Sequence, residues 1–288
     1  MQGSRPAAND LTHILERTKS SESDLVYKGN LTYRIDNDRM IYATYSEGFR
    51  SGGGNGVRPQ SVLPRAYDSD FLTNYELGAK TTWLSHRLRL NAAAYHMIWK
   101  NIQIQVEDPQ PTVFSLGTVN VGEAQIDGVE LNVALLVGAN WELSGSLAWT
   151  DARLSRSFDE FGIVAEKGTP LPITPNWKGS FGIEYHVPTT WFGAEPYVRA
   201  DYSYNGKSVN SLAGVESVVL GSTASTLDAY GLLDLKFGLE GKGWSAALFL
   251  NNLTNELGEQ NLNNRWGKQR VSYTAPRSFG ITLRKSFR

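Results

Sequence analysis

A long hairpin of alternating residues, 129–150, constrains the fold more than any other part of the sequence. Apolar side chains occupy every second position from Val129 to Val137 and again from Trp141 to Trp149. The tripeptide 138–140, which begins with Gly138, supplies the turn between the two arms. Such period-two alternation predicts strands with one apolar and one polar face. Each arm is long enough for a tilted strand to cross a bilayer, which takes about 9 to 11 residues.

The same rhythm of strand, short turn, strand and long polar loop repeats from about residue 25 to the end. It predicts eleven strands: 25–35, 39–49, 74–83, 87–105, the two arms of the hairpin, 174–187, 193–205, 227–239, 244–254 and 271–287. Every second connection is short and the others, such as the Pro-containing loop 106–118, are long, which is typical of outer-membrane β-barrels. Residues 1–24 are interpreted as an irregular loop-like segment and residues 25–288 as the barrel domain.

The two faces of these strands differ in character along their whole length. In strand 87–105 the apolar face is predicted to run from Leu88 to Ile104, and the polar face from Arg87 to Gln105. Polar faces with both charge signs and amides suit a wide hydrated lumen better than a dry interior. Aromatic residues near the short turns predict one interfacial girdle: Trp83, Trp141, Trp191, Phe192, Trp244 and Phe287.

The composition limits the classes of protein to which the chain can belong. Hydrophobic residues make up 41% of the chain, which fits a barrel because only one face of each strand meets lipid. The net charge of -1 gives no argument for nucleic acid, and the lack of cysteine excludes disulfides and thiolate metal sites. The first 24 residues do not resemble a secretory signal. The alternative architecture is a water-soluble β-sandwich or a repetitive adhesin with polar faces turned to solvent.

Five segments in order resemble one known family. They are YATYSEGFRSGG at 42–53, LTNYELGAKTTW at 72–83, NVGEAQIDGVELN at 120–132, LFLNNLTNE at 248–256 and APRSFGITLRKSF at 275–287. Together they resemble the C-terminal half of the β-barrel of TonB-dependent outer-membrane receptors of the ferric-siderophore type. The resemblance implies an all-β, transmembrane antiparallel barrel of 22 strands, of which about 11 lie here, in the outer membrane of a Gram-negative cell.

The family's mechanism implies the partners of such a chain. A receptor of this type binds an iron chelate or a similar nutrient outside the cell, and the TonB system pulls on an N-terminal plug to open a path. No plug is recognised before residue 25, so we expect a fragment, or one half of an assembly, that reaches TonB only through a plug it lacks. The expected partners are outer-membrane lipid, the chelate and the barrel assembly machinery, which reads a final strand ending near Phe287. We expect no nucleic acid, cofactor, resident metal or enzymatic activity.

Ligand contacts in such a receptor are expected from arginine and aromatic side chains in the long loops, which can grip an anionic or catecholate-like chelate. The candidates are Arg50, Arg58, Arg65, Tyr67, Arg153, Arg156, Phe158, Phe161, Asn261, Arg265, Trp266 and Arg270. For any one of them, a place in ordinary solvated loop or lumen wall is the more common role.

Two other functions remain open from the sequence. The chain could be a non-transporting outer-membrane binding or structural piece. It could also be an outer-membrane hydrolase with His96 as base, although spacing ties no Ser or Asp to that residue. The four histidines are not at metal-ligand spacing to one another. The carboxylates at 68, 70, 159 and 160 could bind calcium, but we interpret them as solvated loop groups.

Overall fold

The computed structural model describes residues 24–110, 115–213, 224–263 and 269–286. Regular secondary structure in these ranges is β-strand. Within them, no element is a helix with the length and hydrophobicity that a membrane-spanning helix needs. The predicted segment 1–24 falls almost wholly outside the described residues and stays a prediction.

The described residues form nineteen strands, of which eleven make one antiparallel sheet with each strand beside the next. The eleven are β1 (Lys28–Arg34), β2 (Arg39–Arg50), β5 (Asp70–Trp83), β6 (Leu88–Glu107), β7 (Leu116–Val137), β8 (Trp141–Leu154), β11 (Trp177–His186), β12 (Ala194–Asn205), β15 (Tyr230–Gly241), β16 (Trp244–Asn251) and β19 (Ser278–Lys285). The others pair as four small hairpins: β3 (Gly53–Gly54) with β4 (Ala66–Tyr67), β9 (Phe158–Glu160) with β10 (Ile163–Ala165), β13 (Ser208–Val209) with β14 (Thr226–Leu227), and β17 (Glu259–Asn263) with β18 (Arg270–Tyr273).

The connections of the main sheet alternate between short and long, as predicted. Five short connections, 35–38, 84–87, 138–140, 187–193 and 242–243, lie at one end, which we call the turn end. The other five connections, 51–69, 108–115, 155–176, 206–229 and 252–277, join the strands at the opposite end, the loop end, and all of them except 108–115 are long. The predicted number of strands and their all-antiparallel order are therefore confirmed.

One face of the sheet carries a broad apolar surface. The strand register places one row of residues side by side across seven strands: Leu31, Ala43, Leu77, Ala94, Val129, Trp149 and Trp177. The predicted girdle residues Trp83, Trp141, Trp191, Phe192 and Trp244 are exposed near the turn end, and Phe287 lies outside the described residues. A wide apolar surface rimmed by aromatic side chains is typical of a lipid-facing barrel wall.

The opposite, polar face is lined by hydrogen-bonded side chains and by aromatic rings laid across glycines. The Tyr42 hydroxyl donates to Glu76 at 2.6 Å, and Ser146 and Ser180 are hydrogen-bonded across neighbouring strands. Four aromatic residues lie directly opposite a glycine of the adjacent strand and cover it: Tyr42 with Gly78, Tyr95 with Gly128, Tyr197 with Gly238 and Phe249 with Gly280. These pairs fill the space that a glycine leaves in a strand.

The prediction for strand 87–105 is wrong at its loop end. Loop 106–118 is much shorter than expected, since β6 continues to Glu107 and β7 begins at Leu116. The alternation of faces also fails, because Asn101 has a φ of +54° and the facing Gly122 a φ of +42°. After this distortion Ile102 packs with Ala124 of the polar face, not on the apolar face where strict alternation placed it.

The predicted final strand 271–287 is divided in the structure. Val271 to Tyr273 belong to β18, which pairs with β17 in the loop-end hairpin, and β19 begins only at Ser278. Pro276 lies between them, and a proline has no N–H to donate to a sheet ladder. The single apolar pattern of the sequence therefore belongs to two separate strands.

Asn252 fixes the start of the connection 252–277, and its loss is expected to be costly. It is 3% exposed with a φ of +51°, and its side chain bonds the N–H of Glu256 and the carbonyls of Glu256 and Ala275. Asn252→Ala removes these three hydrogen bonds and should lower the free energy of unfolding by about 2 kcal/mol, measurable by denaturant titration in detergent.

Asn255→Ala is the matched control for Asn252→Ala. Asn255 has a similar φ of +55°, but its side chain accepts a single bond from the exposed N–H of Arg277. Its replacement should cost less than half as much as the replacement of Asn252. Equal losses at both positions would mean that the backbone conformation, not the hydrogen bonds of Asn252, decides the stability of this connection.

Candidate ligand-binding site at the loop end

A buried carboxylate joins the two ends of loop 51–69. Asp70, the first residue of β5, is 2% exposed, and Arg50, the last residue of β2, forms an ion pair with it through two nitrogens. Trp99 donates its indole N–H to the same carboxylate at 3.0 Å, and the Gln103 backbone N–H donates at 3.3 Å. These donors compensate the burial of the charge. The Arg50 guanidinium also lies 5.2 Å from the centre of the Trp99 ring.

Amide side chains fasten the rest of loop 51–69 to the β6–β7 hairpin. Gln103 donates to the carbonyls of Ser51 and Asp68, each at 3.0 Å, and so holds both ends of the loop. Asn55 bonds both the carbonyl and the N–H of Thr118 at 2.7 Å, as a neighbouring strand would. Loop 51–69 is therefore an ordered layer on the long hairpin.

Asp108 anchors the middle of the same loop. It accepts hydrogen bonds from the Ser61 hydroxyl and from the backbone N–H groups of Val62 and Gln110. Burial raises the pKa of Asp108, but these hydrogen bonds to the ionised form outweigh burial, so its pKa lies below the usual value of 3.8. The carboxylate is thus held in its charged form at the loop end.

The lowered pKa of Asp108 predicts that acid loosens this anchor. Its contribution to stability should be complete above pH 3.8 and should be lost as pH falls through the lower pKa of the folded state. Hydrogen exchange of the 61–63 amides, corrected for its intrinsic pH dependence, should therefore accelerate in acid in the wild type. Asp108→Asn should show fast exchange at all pH values, whereas Asp159→Asn, at an exposed carboxylate, should behave as wild type. Unchanged protection in Asp108→Asn would contradict the assignment.

Two apolar clusters lie beneath the loops. One joins loop 51–69 and hairpin β9–β10 to strands β6 and β7: Leu63, Val106, Val119, Val121, Phe158 and Ile163. The other joins strands β6 to β8 to loops 155–176 and 206–229: Ile102, Ala124, Ala152, Leu154, Ala165, Leu171 and Leu212. Since Ala124 and Ala152 lie on the polar-face side, the loops fold over the loop end of that face. We call the described parts of loops 51–69, 155–176 and 206–229 the loop cap.

The predicted ligand residues are distributed unevenly over the loop cap. Arg50 lies on the polar-face side, and Arg58 and Arg65 are exposed on loop 51–69. The Tyr67 ring covers Gly53 of the facing strand β3. Phe158 is buried in the first apolar cluster, so its side chain acts as packing in this conformation. These positions leave the arginines as the groups that face solvent.

The other predicted residues lie elsewhere or outside the description. Arg153 continues the row of the apolar face, where it pairs with Asp151 at 2.5 Å, and Arg156 lies 3.8 Å from Glu123. Phe161 packs against the first apolar cluster. The exposed Asn261 and Arg270 lie on the hairpin β17–β18. Arg265 and Trp266 lie outside the described residues. None of the twelve is thereby tested as a ligand contact.

Sequence reasoning missed the residues that build the site. The interpretation of Asp70 as a solvated carboxylate is wrong, because it is buried against Arg50. The alternation predicts Trp99 and Gln103 on the polar face but assigns them no role in a site, and nothing in the sequence around Asn55 marks it as a residue that fastens the loop. The available signal was their position on strand ends next to long loops, where polar side chains commonly carry function.

His96, the base of the hydrolase alternative, lies on the other side of the sheet. Its Nδ1 is 2.7 Å from Asp127, and its ring is 6.3 Å from that of Tyr75. The register continues the apolar-face row through these residues, so the pair faces away from the polar face. A carboxylate does orient this histidine, but at a position remote from the loop cap.

Comparison with known proteins gives one consistent result. The sequence profile described as "TonB dependent receptor-like, beta-barrel" matches residues 3–253. The probable TonB-dependent siderophore receptor PiuA of Acinetobacter baumannii is 25% identical over 146 residues, which cover 49% of this chain and 19% of that protein. The metal-pseudopaline receptor CntO of Pseudomonas aeruginosa is 24% identical over 254 residues, which cover 87% of this chain and 32% of that protein.

A solved structure agrees with this result at the level of the fold. The ferric yersiniabactin uptake receptor FyuA from Yersinia pestis matches with a TM-score of 0.69 at 16% identity, over 90% of this chain and 37% of that one. The chain spans about a fifth to a third of the length of the two curated relatives above.

Proposed function

Because the chain belongs to the TonB-dependent receptor-like β-barrel family, we propose that it supplies the chelate-binding wall of a receptor for energy-coupled uptake of an iron chelate. The chain is an outer-membrane β-barrel protein, and its family consists of transport receptors, whose relatives include siderophore receptors. The identity of its own ligand, its coupling to TonB through a plug and its insertion by the assembly machinery are parts of the proposal.

The observation that supports this proposal best is the ordered loop cap over the polar face. A binding surface that is rigid before the ligand arrives loses less conformational entropy on binding. Asp70, Gln103 and Asn55 hold loop 51–69 in one arrangement, and two apolar clusters hold the neighbouring loops. The cap therefore suits the capture of a bulky solute at the mouth of a hydrated lumen.

The exposed groups of the cap favour an anionic chelate. Arg58 and Arg65 present cationic side chains on loop 51–69, and Arg50 with Trp99 offers a cation beside an aromatic face. Guanidinium groups bind carboxylate and catecholate oxygens through paired hydrogen bonds, and an indole can stack on an aromatic ligand. A chelate of another metal presents the same oxygen chemistry to these groups.

The experiment is uptake of ⁵⁵Fe chelates by a host that lacks its own receptors and carries this chain together with the plug that the proposal requires. Ferric catecholate, hydroxamate and carboxylate chelates are offered separately, with and without functional TonB. One class should enter only with TonB, and Arg58→Gln with Arg65→Gln should weaken its binding about tenfold, as expected for a lost charge-assisted bond. Lys242→Gln at the turn end is the matched control. A folded protein that neither binds nor transports any of the three classes would contradict the proposal.

A further inference from the structure

A second group of titratable side chains lies on the polar face at the turn end, far from the loop cap. Glu142 is the second residue of β8, and it lies directly opposite Glu184 of β11. His186 follows two residues later on the same face. Its Nε2 lies 2.9 Å from Oε1 of Glu184 and 4.0 Å from Oε1 of Glu142. One ligand atom from each of the three residues lies within 4.8 Å of the others, the one such group among the described residues.

These distances fit a small cation between the three side chains. Metal–ligand bonds of about 2.0–2.2 Å to nitrogen and carboxylate oxygen place the ligand atoms of one ion roughly 3.0–3.5 Å apart. The two distances from His186 bracket that separation. Two carboxylates directly opposite each other in a sheet repel, so Glu142 and Glu184 are stabilised by any positive charge between them.

A neighbouring ion pair orients one of the three ligands but does not lie between them. Arg199 of β12 lies 3.3 Å from Oε2 of Glu184, and its Nη2 donates to Asp201 at 2.6 Å. Arg199 and Asp201 cancel in charge and fix the orientation of the Glu184 carboxylate, whose Oε1 is turned to His186. Groups behind a ligand that orient it in this way commonly strengthen metal binding. Lys236, opposite Arg199, has its ammonium 5.4 Å from the centre of the Tyr197 ring.

We propose that Glu142, Glu184 and His186 bind a divalent first-row transition-metal ion on the polar face. One imidazole and two carboxylates form a nitrogen–oxygen set that suits Zn²⁺ and its neighbours better than Ca²⁺. The side chains of Glu142 and His186 are 56% and 31% exposed, so the ion has open coordination positions and exchanges with solvent. This is the arrangement of a transfer site rather than of a closed structural site.

The position assigns a role in uptake to this ion site. It lies at the opposite end of the polar face from the loop cap, level with the ring pair Trp141–Tyr185, whose centres are 4.5 Å apart on the apolar face. A solute that enters at the cap meets Glu142, Glu184 and His186 last. A role for this site at the point where the solute leaves the lumen rests on the proposed uptake function. The binding of the ion does not.

The test is direct binding of Zn²⁺ to the full chain purified from outer membranes in detergent and stripped with a chelator. Equilibrium dialysis with metal analysis should find one ion per chain. His186→Ala and Glu142→Gln should each weaken binding by at least about tenfold. With Cu²⁺ as a second probe, the nitrogen couplings in the electron paramagnetic resonance spectrum should disappear in His186→Ala. Heat-shifted gel migration checks that each variant is folded.

His96→Ala is the matched control, because His96 pairs with a single carboxylate at 2.7 Å. It should bind Zn²⁺ as the wild type does. Glu142→Gln decides the question if His186→Ala does not fold, since Glu142 is the most exposed of the three ligands. Absence of Zn²⁺ binding to stripped wild type, or undiminished binding in Glu142→Gln, would overturn the site. Neither outcome depends on chelate uptake, so the two proposals fail separately.

Discussion

Replacement of Arg50 by methionine is expected to open the base of loop 51–69 and to lower the free energy of unfolding by about 3 kcal/mol. Arg50 is the cation that faces the buried carboxylate of Asp70. Removal of one partner of a buried pair typically costs about 3–5 kcal/mol, because the other charge stays buried without compensation. The bonds that Asp70 keeps from Trp99 and Gln103 place the loss at the lower end of that range.

The two partners of this pair should respond unequally. The Arg50 side chain is 53% exposed and can be hydrated, whereas Asp70 is 2% exposed and cannot. Asp70→Asn should therefore cost less than Arg50→Met. The double variant should be more stable than Arg50→Met alone, since it carries no buried charge. Denaturant titration in detergent gives the global effect, and hydrogen exchange of the 51–69 amides gives the local one.

Arg156→Met is the control for loss of an arginine at the loop end. Arg156 is 74% exposed and lies 3.8 Å from Glu123, so its replacement should change stability by less than about 0.5 kcal/mol. If Arg50→Met and Arg156→Met have equal effects, Asp70 does not depend on its ion pair. In that case the order of loop 51–69 comes from the apolar cluster and from Asn55 instead.

The main sheet could be predicted from the sequence because the signals for its strands and turns lie within short stretches of the chain. Period-two alternation from Val129 to Val137 defines a face, and Gly138 marks a turn, without reference to any distant residue. The eleven strands and the alternation of short and long connections follow from repeats of that pattern. Where a local conformation breaks the period, as at Asn101 with its φ of +54°, the alternation gives no warning, and the faces that it predicts beyond that residue are wrong.

The sequence predicts which types of residue the candidate sites contain but not which residues meet, because that depends on how the strands pair and how the loops pack. The sequence indicated arginine-rich loops, and these do lie at the loop end. It could not show that Asp70 is buried against Arg50, since loop packing decides which carboxylate loses its water. Nor could spacing along the chain bring Glu142 opposite Glu184, which are 42 positions apart and meet through the pairing of β8 with β11. Cross-strand pairing is set by the whole sheet.

Substitution of Gly128 by alanine is expected to lower the free energy of unfolding by about 1–3 kcal/mol, although the change adds a single methyl group. Gly128 of β7 lies opposite Tyr95 of β6, and a Cβ at this position would overlap the Tyr95 ring. The added carbon forces the ring aside, which is the cost of overpacking. It also threatens the bond between the Tyr95 hydroxyl and Thr150 of β8, whose oxygens are 3.0 Å apart.

Two variants separate the steric effect from the general effect of removing a glycine. Gly48→Ala adds the same methyl group in β2, where a Cβ meets nothing within 4 Å, and should leave stability unchanged or slightly raised. Tyr95→Ala in the Gly128→Ala background removes the ring and should recover part of the loss relative to the sum of the single variants. Denaturant titration of the wild type, Gly128→Ala, Tyr95→Ala and the double variant in one detergent gives the coupling energy between the two positions. If Gly128→Ala is as stable as Gly48→Ala, the aromatic rings on the polar face move freely and do not hold the strands of the barrel wall together.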